Sequence, residues 1–261
     1  MVARNVLTKN DFRIPGQLGA RAVMMLIRMQ EVASERGAYN YVEVGSYKGR
    51  SLFPHVMDDD CKYALSIDLR PEFTPDERVP IADYHHITAE SMVRAIGRHC
   101  EPQKLEKLET LTTDSAGITS RTRNDRFDLA LIDGEHTNEA AFNDFLNLYP
   151  HMNESCIICF DDTHIVYSGV ANAISYLNAA GVAHKALFSS GCITALLLGD
   201  YAARDDVETP QRVHSTRDQM RTRYKENLIR SHLVNYAAEY GAKDQEVRAA
   251  LMAALKIPFT G

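Results

Sequence analysis

The chain has 261 residues, 45% of them hydrophobic, and a formal net charge of −6. That length and composition suit one large α/β domain with helical additions. They exclude a bilayer-spanning helix, because the longest apolar runs, such as residues 195–198, fall far short of about 20 residues. The mild acidity argues against a nucleic-acid substrate.

No cationic-then-apolar start resembles a signal peptide, so a cytoplasmic protein is expected. Cys61, Cys100, Cys156, Cys159 and Cys192 form no disulfide framework. Cys156 and Cys159 have a metal-ligand spacing, but they sit in an apolar string that reads as a buried strand, and no second pair completes a tetrahedral site.

Residues 1–16 read as an irregular arm, and 18–36 as an amphipathic helix stopped by Gly37. A short apolar strand over 41–44 runs into a Gly-rich turn and a helix over 51–57. A second strand, 63–67, ends at Asp68. Residues 70–86 are Pro-rich and polar and read as a long loop. Thr88 can cap a helix reaching Cys100. Strands follow at 108–112, 127–132 and 156–160, with a helix at 139–148 between the last two. A helix over 170–178 is closed by Gly181. Residues 184–188 and 193–198 then read as a hairpin. Strands alternating with helices predict a mainly parallel, Rossmann-like sheet of seven strands. Helices cover both faces, and the terminal hairpin is antiparallel.

After Asp200 the composition turns charged and helical. Met220, Tyr224, Leu228 and Leu233 fall at helical spacing, and Val247, Leu251 and Leu255 mark a second short helix. Both are expected to pack on the main domain or on a partner subunit, and a homo-oligomer is expected. Arg217, Arg221, Arg223, Lys225 and Arg230 crowd this region, read first as a solvated helix face. The division is an arm and helix over 1–40, a cofactor-binding domain over 41–200, and a helical extension over 201–261.

Ligands on such a sheet bind beyond the carboxyl ends of the strands. Gly45 ends the first strand, and Gly49 allows the turn into the helix. A dinucleotide loop would carry Gly-x-Gly-x-x-Gly, whereas here two glycines are spaced Gly-x-x-x-Gly with Glu43 before them. A carboxylate there repels a pyrophosphate and suits a cationic ligand, and S-adenosylmethionine carries a sulfonium and an ammonium. Asp68 is placed to accept from two ribose hydroxyls, a role that NAD sites also use.

The string Glu43-Val44-Gly45-Ser46-Tyr47-Lys48-Gly49-Arg50-Ser51 resembles the first motif of class I methyltransferases, most closely the catechol-type O-methyltransferases. The resemblance implies that the loop from Glu43 through Ser46 to Gly49 holds S-adenosylmethionine. It adds Tyr47 and Ser51 to the cofactor wall and places Asp114 and Ser115 against the adenine. An ordinary turn explains Asp114 and Ser115 equally well.

Two further strand ends carry Leu131-Ile132-Asp133-Gly134-Glu135-His136 and Phe160-Asp161-Asp162-Thr163-His164. On neighbouring parallel strands, Asp133, Asp161 and Asp162 would converge beside the cofactor, with Asp133 touching both. Three close carboxylates repel one another, and a divalent cation removes the conflict. All-oxygen ligation favours Mg²⁺, Mn²⁺ or Ca²⁺. His136 is suited to take a proton from an acceptor hydroxyl. His164 is expected to support the metal carboxylates.

With His136 three residues after Asp133 and an acidic pair after the next strand, the chain looks more like the metal-dependent sugar O-methyltransferases of macrolide biosynthesis and the cephalosporin-hydroxylase-like proteins. The resemblance spans residues 40–200. It implies metal-assisted methylation of a small-molecule or sugar hydroxyl with His136 as base. An NAD-dependent oxidoreductase on a similar sheet, and a non-catalytic cofactor-binding protein, stand as alternatives.

Overall fold

A computed structural model describes residues 13–83 and 87–240, with 79–83 and 234–240 described through the backbone alone. The strands are β1 (Tyr39–Val44), β2 (Cys61–Ile67), β3 (Phe73–Asp76), β4 (Val79–Asp83), β5 (Leu108–Leu111), β6 (Phe127–Ile132), β7 (Met152–Phe160), β8 (His184–Ser189), β9 (Thr194–Leu198) and β10 (His214–Ser215). The α-helices are α1 (Ala20–Ser34), α2 (Leu52–Met57), α3 (Ala89–Gly97), α4 (Pro102–Leu105), α5 (Asn138–Leu148), α6 (Tyr167–Ala179) and α7 (Arg217–Tyr240).

The main sheet runs β10-β8-β9-β7-β6-β1-β2-β5. The five strands from β5 to β7 are parallel, while β9 is antiparallel to both β7 and β8. The chain winds outward from β1 through β2 to β5, then returns to lay β6 on the other side of β1. The carboxyl ends of β1 and β6 therefore flank the point where strand order reverses, the usual crevice for a ligand. The seven expected strands are present. An eighth, β10, adds only two residues at the edge beside β8, too short to leave a signal in the sequence.

Alternation along the strands builds two cores. Val42, Val44, Ala130, Ile132, Ile158 and Phe160 face α5, α6 and the start of α7. Tyr41, Leu129, Leu131, Ile157 and Cys159 face α1, α2 and α3. Cys156 and Cys159 lie on opposite faces of β7 because their spacing is odd, so they cannot share one metal ion. All five cysteines are free.

Thr88 caps α3 as expected, its hydroxyl accepting from Ser91 N at 3.1 Å. Gly181 follows α6 with φ +67°, a conformation that favours glycine. The main correction concerns residues 70–86. Their proline content suggests a loop, yet β3 and β4 pair as a separate antiparallel hairpin. Proline is tolerated in edge strands, which explains the misleading signal. The Met220–Tyr224 stripe packs on the chain's own domain: Met220 is buried in the core, and Tyr224 sits against Tyr167. Arg217 donates to Tyr167 Oη and Arg223 to Ser190 O, so two of the expected solvated arginines bind within the fold. The helix expected around 247–255 lies outside the described residues. No described helix is long and apolar enough to cross a membrane.

Candidate active site

The ends of four neighbouring strands are laced together by backbone hydrogen bonds just past their ladders. Gly45 N donates to Ile67 O, Asp133 N to Val44 O, and Asp161 N to Ile132 O, each at 2.9 Å. Gly45 (φ +85°) packs directly against the β6 end: a Cβ there would lie 1.9 Å from Asp133 O. Only glycine allows this approach. Asp68 braces the loop from the other side. Its Oδ2 accepts from Tyr47 N at 2.7 Å and its Oδ1 from Arg70 N at 2.8 Å. Arg70 in turn donates to Tyr47 O at 2.9 Å. Each carboxylate oxygen of Asp68 keeps a second lone pair for a ligand.

Two cavities open above these strand ends. The larger, about 340 Å³, lies over Gly45, Asp68 and Asp114, within the roughly 300–1,000 Å³ range of small-molecule sites. Five carboxylates line it, from Asp68, Asp114, Asp133, Glu135 and Asp144, against one arginine, Arg70. Such a wall favours a cationic ligand and disfavours a pyrophosphate. The smaller cavity, about 110 Å³, is walled by Ser46, Lys48, Ser51, His136, Asp161 and Asp162. Gly45, Tyr47, Asp133 and Gly134 belong to both.

Glu43 lies elsewhere. It shares a face of β1 with Tyr41, the face covered by α2, and is wholly buried without lining either cavity. Its Oε2 accepts from Tyr41 Oη at 2.6 Å, while Oε1 has no hydrogen-bond partner. Burial pushes its carboxyl up to about 7, against a smaller opposite pull from Tyr41, Ser46 and Ser51. The native state therefore holds a proton that the unfolded chain releases above the ordinary value of 4.5. This contribution to stability is present in acid and is lost as pH rises through the folded value of about 7. Glu43→Gln removes that loss. Relative to wild type, the variant is expected to gain about 2–3 kcal/mol between pH 5 and pH 8, measured by urea unfolding. An unchanged difference between the two pH values would show that Glu43 is not protonated in the native state.

Asp114 and Ser115 combine turn and cavity roles. Asp114 caps the short helix behind it, accepting from Gly117 N at 3.3 Å, while Ser115 Oγ accepts from Asn147 Nδ2 at 2.9 Å. Both line the larger cavity beside Asp144. Asp144 is nearly buried, and burial raises its carboxyl to about 6. As an isolated aspartate in the middle of a helix, outside any motif, it gives no sequence signal.

His136 lies beside two of the three aspartates expected to converge here. His136 Nε2 lies 3.4 Å from Asp162 Oδ2 and 3.9 Å from Asp133 Oδ1. Its Nδ1 lies 3.0 Å from Asp76 Oδ2, a residue of the hairpin that no motif marks. His164 Nδ1 is 3.6 Å from Asp162 Oδ1, too far for a hydrogen bond. Burial raises the carboxyl of Asp133 to about 6 and that of Asp161 well above its usual range, and the neighbouring aspartates add to both shifts. Burial works to lower the pKa of His136, but Asp133, Asp76 and Asp162 outweigh it and raise it to about 10. Among the described residues, no three His, Cys, Asp or Glu side chains are grouped closely enough to hold a metal ion. Asp133, Asp161 and Asp162 are half-buried oxygen donors whose charges repel one another, the donor type that a hard cation takes.

The strand order, the terminal antiparallel hairpin and the Gly45 crevice define a Rossmann-like methyltransferase fold. Residues 42–163 match the sequence profile of a family described as a methyltransferase domain. Residues 42–163 are thus similar to a methyltransferase domain, and the fold around them is that of the class I methyltransferases. Among solved structures, the calicheamicin methyltransferase CalS11 aligns with a TM-score of 0.52 at 14% identity, over 70% of this chain and 82% of that one. The O-methyltransferase NovP gives 0.50 at 13% identity, over 66% and 77%. A candidate O-methyltransferase from Klebsiella pneumoniae gives 0.50 at 15%, over 73% and 86%. At these identities the likeness is one of fold. No curated protein matches the chain.

Proposed function

We propose that this protein is an S-adenosylmethionine-dependent methyltransferase that acts on oxygen, methylating a hydroxyl of a small molecule or sugar with the help of a divalent cation. The observation that carries the reading is the pair of cavities joined at Gly45 and Asp133, one acidic and large enough for a cofactor, the other holding His136 among carboxylates. Fold likeness to proteins described as O-methyltransferases points the same way.

S-adenosylmethionine supplies a methyl group on a sulfonium centre, an electrophile that needs an aligned nucleophile. In this reading Asp68 accepts from the ribose hydroxyls, and Asp114 and Ser115 border the adenine. Gly45, Ser46, Tyr47, Gly49 and Ser51 form the loop that carries the amino-acid end, with Glu43 supporting it from below. Asp133 separates cofactor from acceptor. Asp133, Asp161 and Asp162 would hold Mg²⁺, Mn²⁺ or Ca²⁺, which when bound would balance their charge, release His136 from the pull that keeps it protonated, and acidify the acceptor hydroxyl. His136 Nε2 faces the acceptor cavity and takes the hydroxyl proton. Residues 41–200 carry most of both sites, and Gly16, Gln17 and Leu18 border the acceptor side. Five free cysteines suit a reducing, cytoplasmic setting.

Thermal shift with S-adenosylhomocysteine and with NAD tests the cofactor. Stabilisation of several degrees at 100 times Kd is expected from the first and none from the second. Methyl transfer from labelled S-adenosylmethionine to vicinal diols tests the reaction. Activity should vanish with EDTA and return with Mg²⁺ or Mn²⁺. Stabilisation by NAD alone would refute the cofactor reading, and activity indifferent to EDTA would remove the cation.

A further inference from the structure

The β3–β4 hairpin reaches the site through one residue at its turn. Asp76 has a side chain with no exposed surface. Its Oδ1 accepts from Arg78 N at 2.8 Å and Arg78 Nε at 2.9 Å, and its Oδ2 from Arg78 Nη2 at 2.6 Å. The same Oδ2 lies 3.0 Å from His136 Nδ1. Arg78 Nη2 also approaches Nδ1, at 3.2 Å, but it is closer to the carboxylate. A buried carboxylate satisfies its remaining acceptor capacity by accepting a hydrogen bond from Nδ1–H.

The backbone fixes the same register. Asp76 and His136 form an isolated parallel β-bridge, and Glu77 N donates to His136 O at 3.0 Å. Glu77 Oε1 accepts from Asn138 N at 2.9 Å and from Asn138 Nδ2 at 2.8 Å. Ser231 of α7 donates to Glu77 O at 2.6 Å. The turn is thus tied to the histidine loop on one side and to the C-terminal helix on the other. A turn needing only its Arg78 ion pair would have no use for a contact with the imidazole.

We infer that Asp76 is a positioning residue for the methyl-transfer reaction: it accepts a hydrogen bond from His136 Nδ1–H, fixes the ring plane, and leaves Nε2 as the nitrogen presented to the acceptor cavity. The inference rests on the reading of His136 as the base. Holding a catalytic imidazole through its second nitrogen is a recurrent device, because it sets both tautomer and orientation.

Two measurements test it independently. The first needs no activity. In the histidine-labelled wild-type protein, NMR should show a downfield, solvent-protected proton on the Nδ1 of His136, assigned by its loss in His136→Ala. Asp76→Asn should shift it upfield. Its absence from wild type, or an unchanged shift in a folded Asp76→Asn, overturns the inference. The second is a kinetic cycle. Asp76→Asn should lower kcat about 10–100-fold, with KM and S-adenosylhomocysteine affinity held within about twofold. In a His136→Ala background the same change should cost almost nothing further, because the two residues act as a unit. An equal loss in both backgrounds would make Asp76 merely structural. A protected Nδ1 proton in a chain that methylates no hydroxyl would uphold the contact while refuting the proposed reaction.

Discussion

His136→Ala should lower kcat by about 10²–10⁴-fold, the usual scale for a general base, while S-adenosylhomocysteine binds as in wild type. His136 borders the smaller cavity only, so its loss leaves the larger cavity's wall intact. Its Nε2 is the basic nitrogen nearest the carboxylate cluster, 3.4 Å from Asp162 Oδ2. In the chain alone, Asp133, Asp76 and Asp162 overcome the effect of burial and hold the ring protonated up to about pH 10. In the proposed reaction, base catalysis near neutral pH would need that carboxylate charge balanced, as by the proposed divalent ion. Stopped or steady-state kinetics with saturating Mg²⁺, beside calorimetry with S-adenosylhomocysteine, separates the two effects. Turnover within about threefold of wild type would remove His136 from the chemistry.

Gly45→Ala should be the most damaging change in the cofactor loop. The added Cβ would lie 1.9 Å from Asp133 O, 2.4 Å from Asp133 C and 2.7 Å from Gly134 Cα. All three are backbone atoms, so no flexible side chain can yield. The residue also sits at φ +85°, which costs an L-residue about 1–2 kcal/mol. Overpacking adds about 1–3 kcal/mol. The ends of β1 and β6 would have to part, and with them the wall common to both cavities. Stability should fall by about 2–5 kcal/mol in urea unfolding, and turnover by about 10²-fold through misplacement of the reacting groups. Gly181→Ala is the control: it has φ +67° with nothing within 4 Å of the added carbon, so it carries the backbone cost without the clash. Equal effects of the two substitutions would show that the β1–β6 approach is not tight.

Elements with a strong local period were legible in the chain. The strand at 127–132 has the expected bounds, and Thr88 and Gly181 punctuate their helices as read. The β3–β4 hairpin was not legible, because Pro71, Pro75 and Pro80 signal a loop while an isolated two-stranded edge tolerates proline. Asp76 was hidden with it. Nothing within 50 residues on either side of Asp76 marks it as the partner of His136, since the contact joins positions 60 residues apart. Asp144 was hidden for a similar reason: its role depends on which way α5 turns it toward the larger cavity.

By itself, the order of apolar runs, glycines and acidic strand ends determined a parallel sheet, a crevice at Gly45, and the placing of Asp133 and His136 beside Asp161 and Asp162 at neighbouring strand ends. Those are consequences of short-range periodicity and of neighbouring strands ending at one level. Tertiary structure alone decided three things: that Glu43 turns away from the crevice and lies buried beneath the loop, that Asp133 is shared by two cavities, and that a proline-rich hairpin delivers Asp76 to His136. Each depends on how one element is rotated or packed against another distant in sequence, and residue order carries no local signal for that.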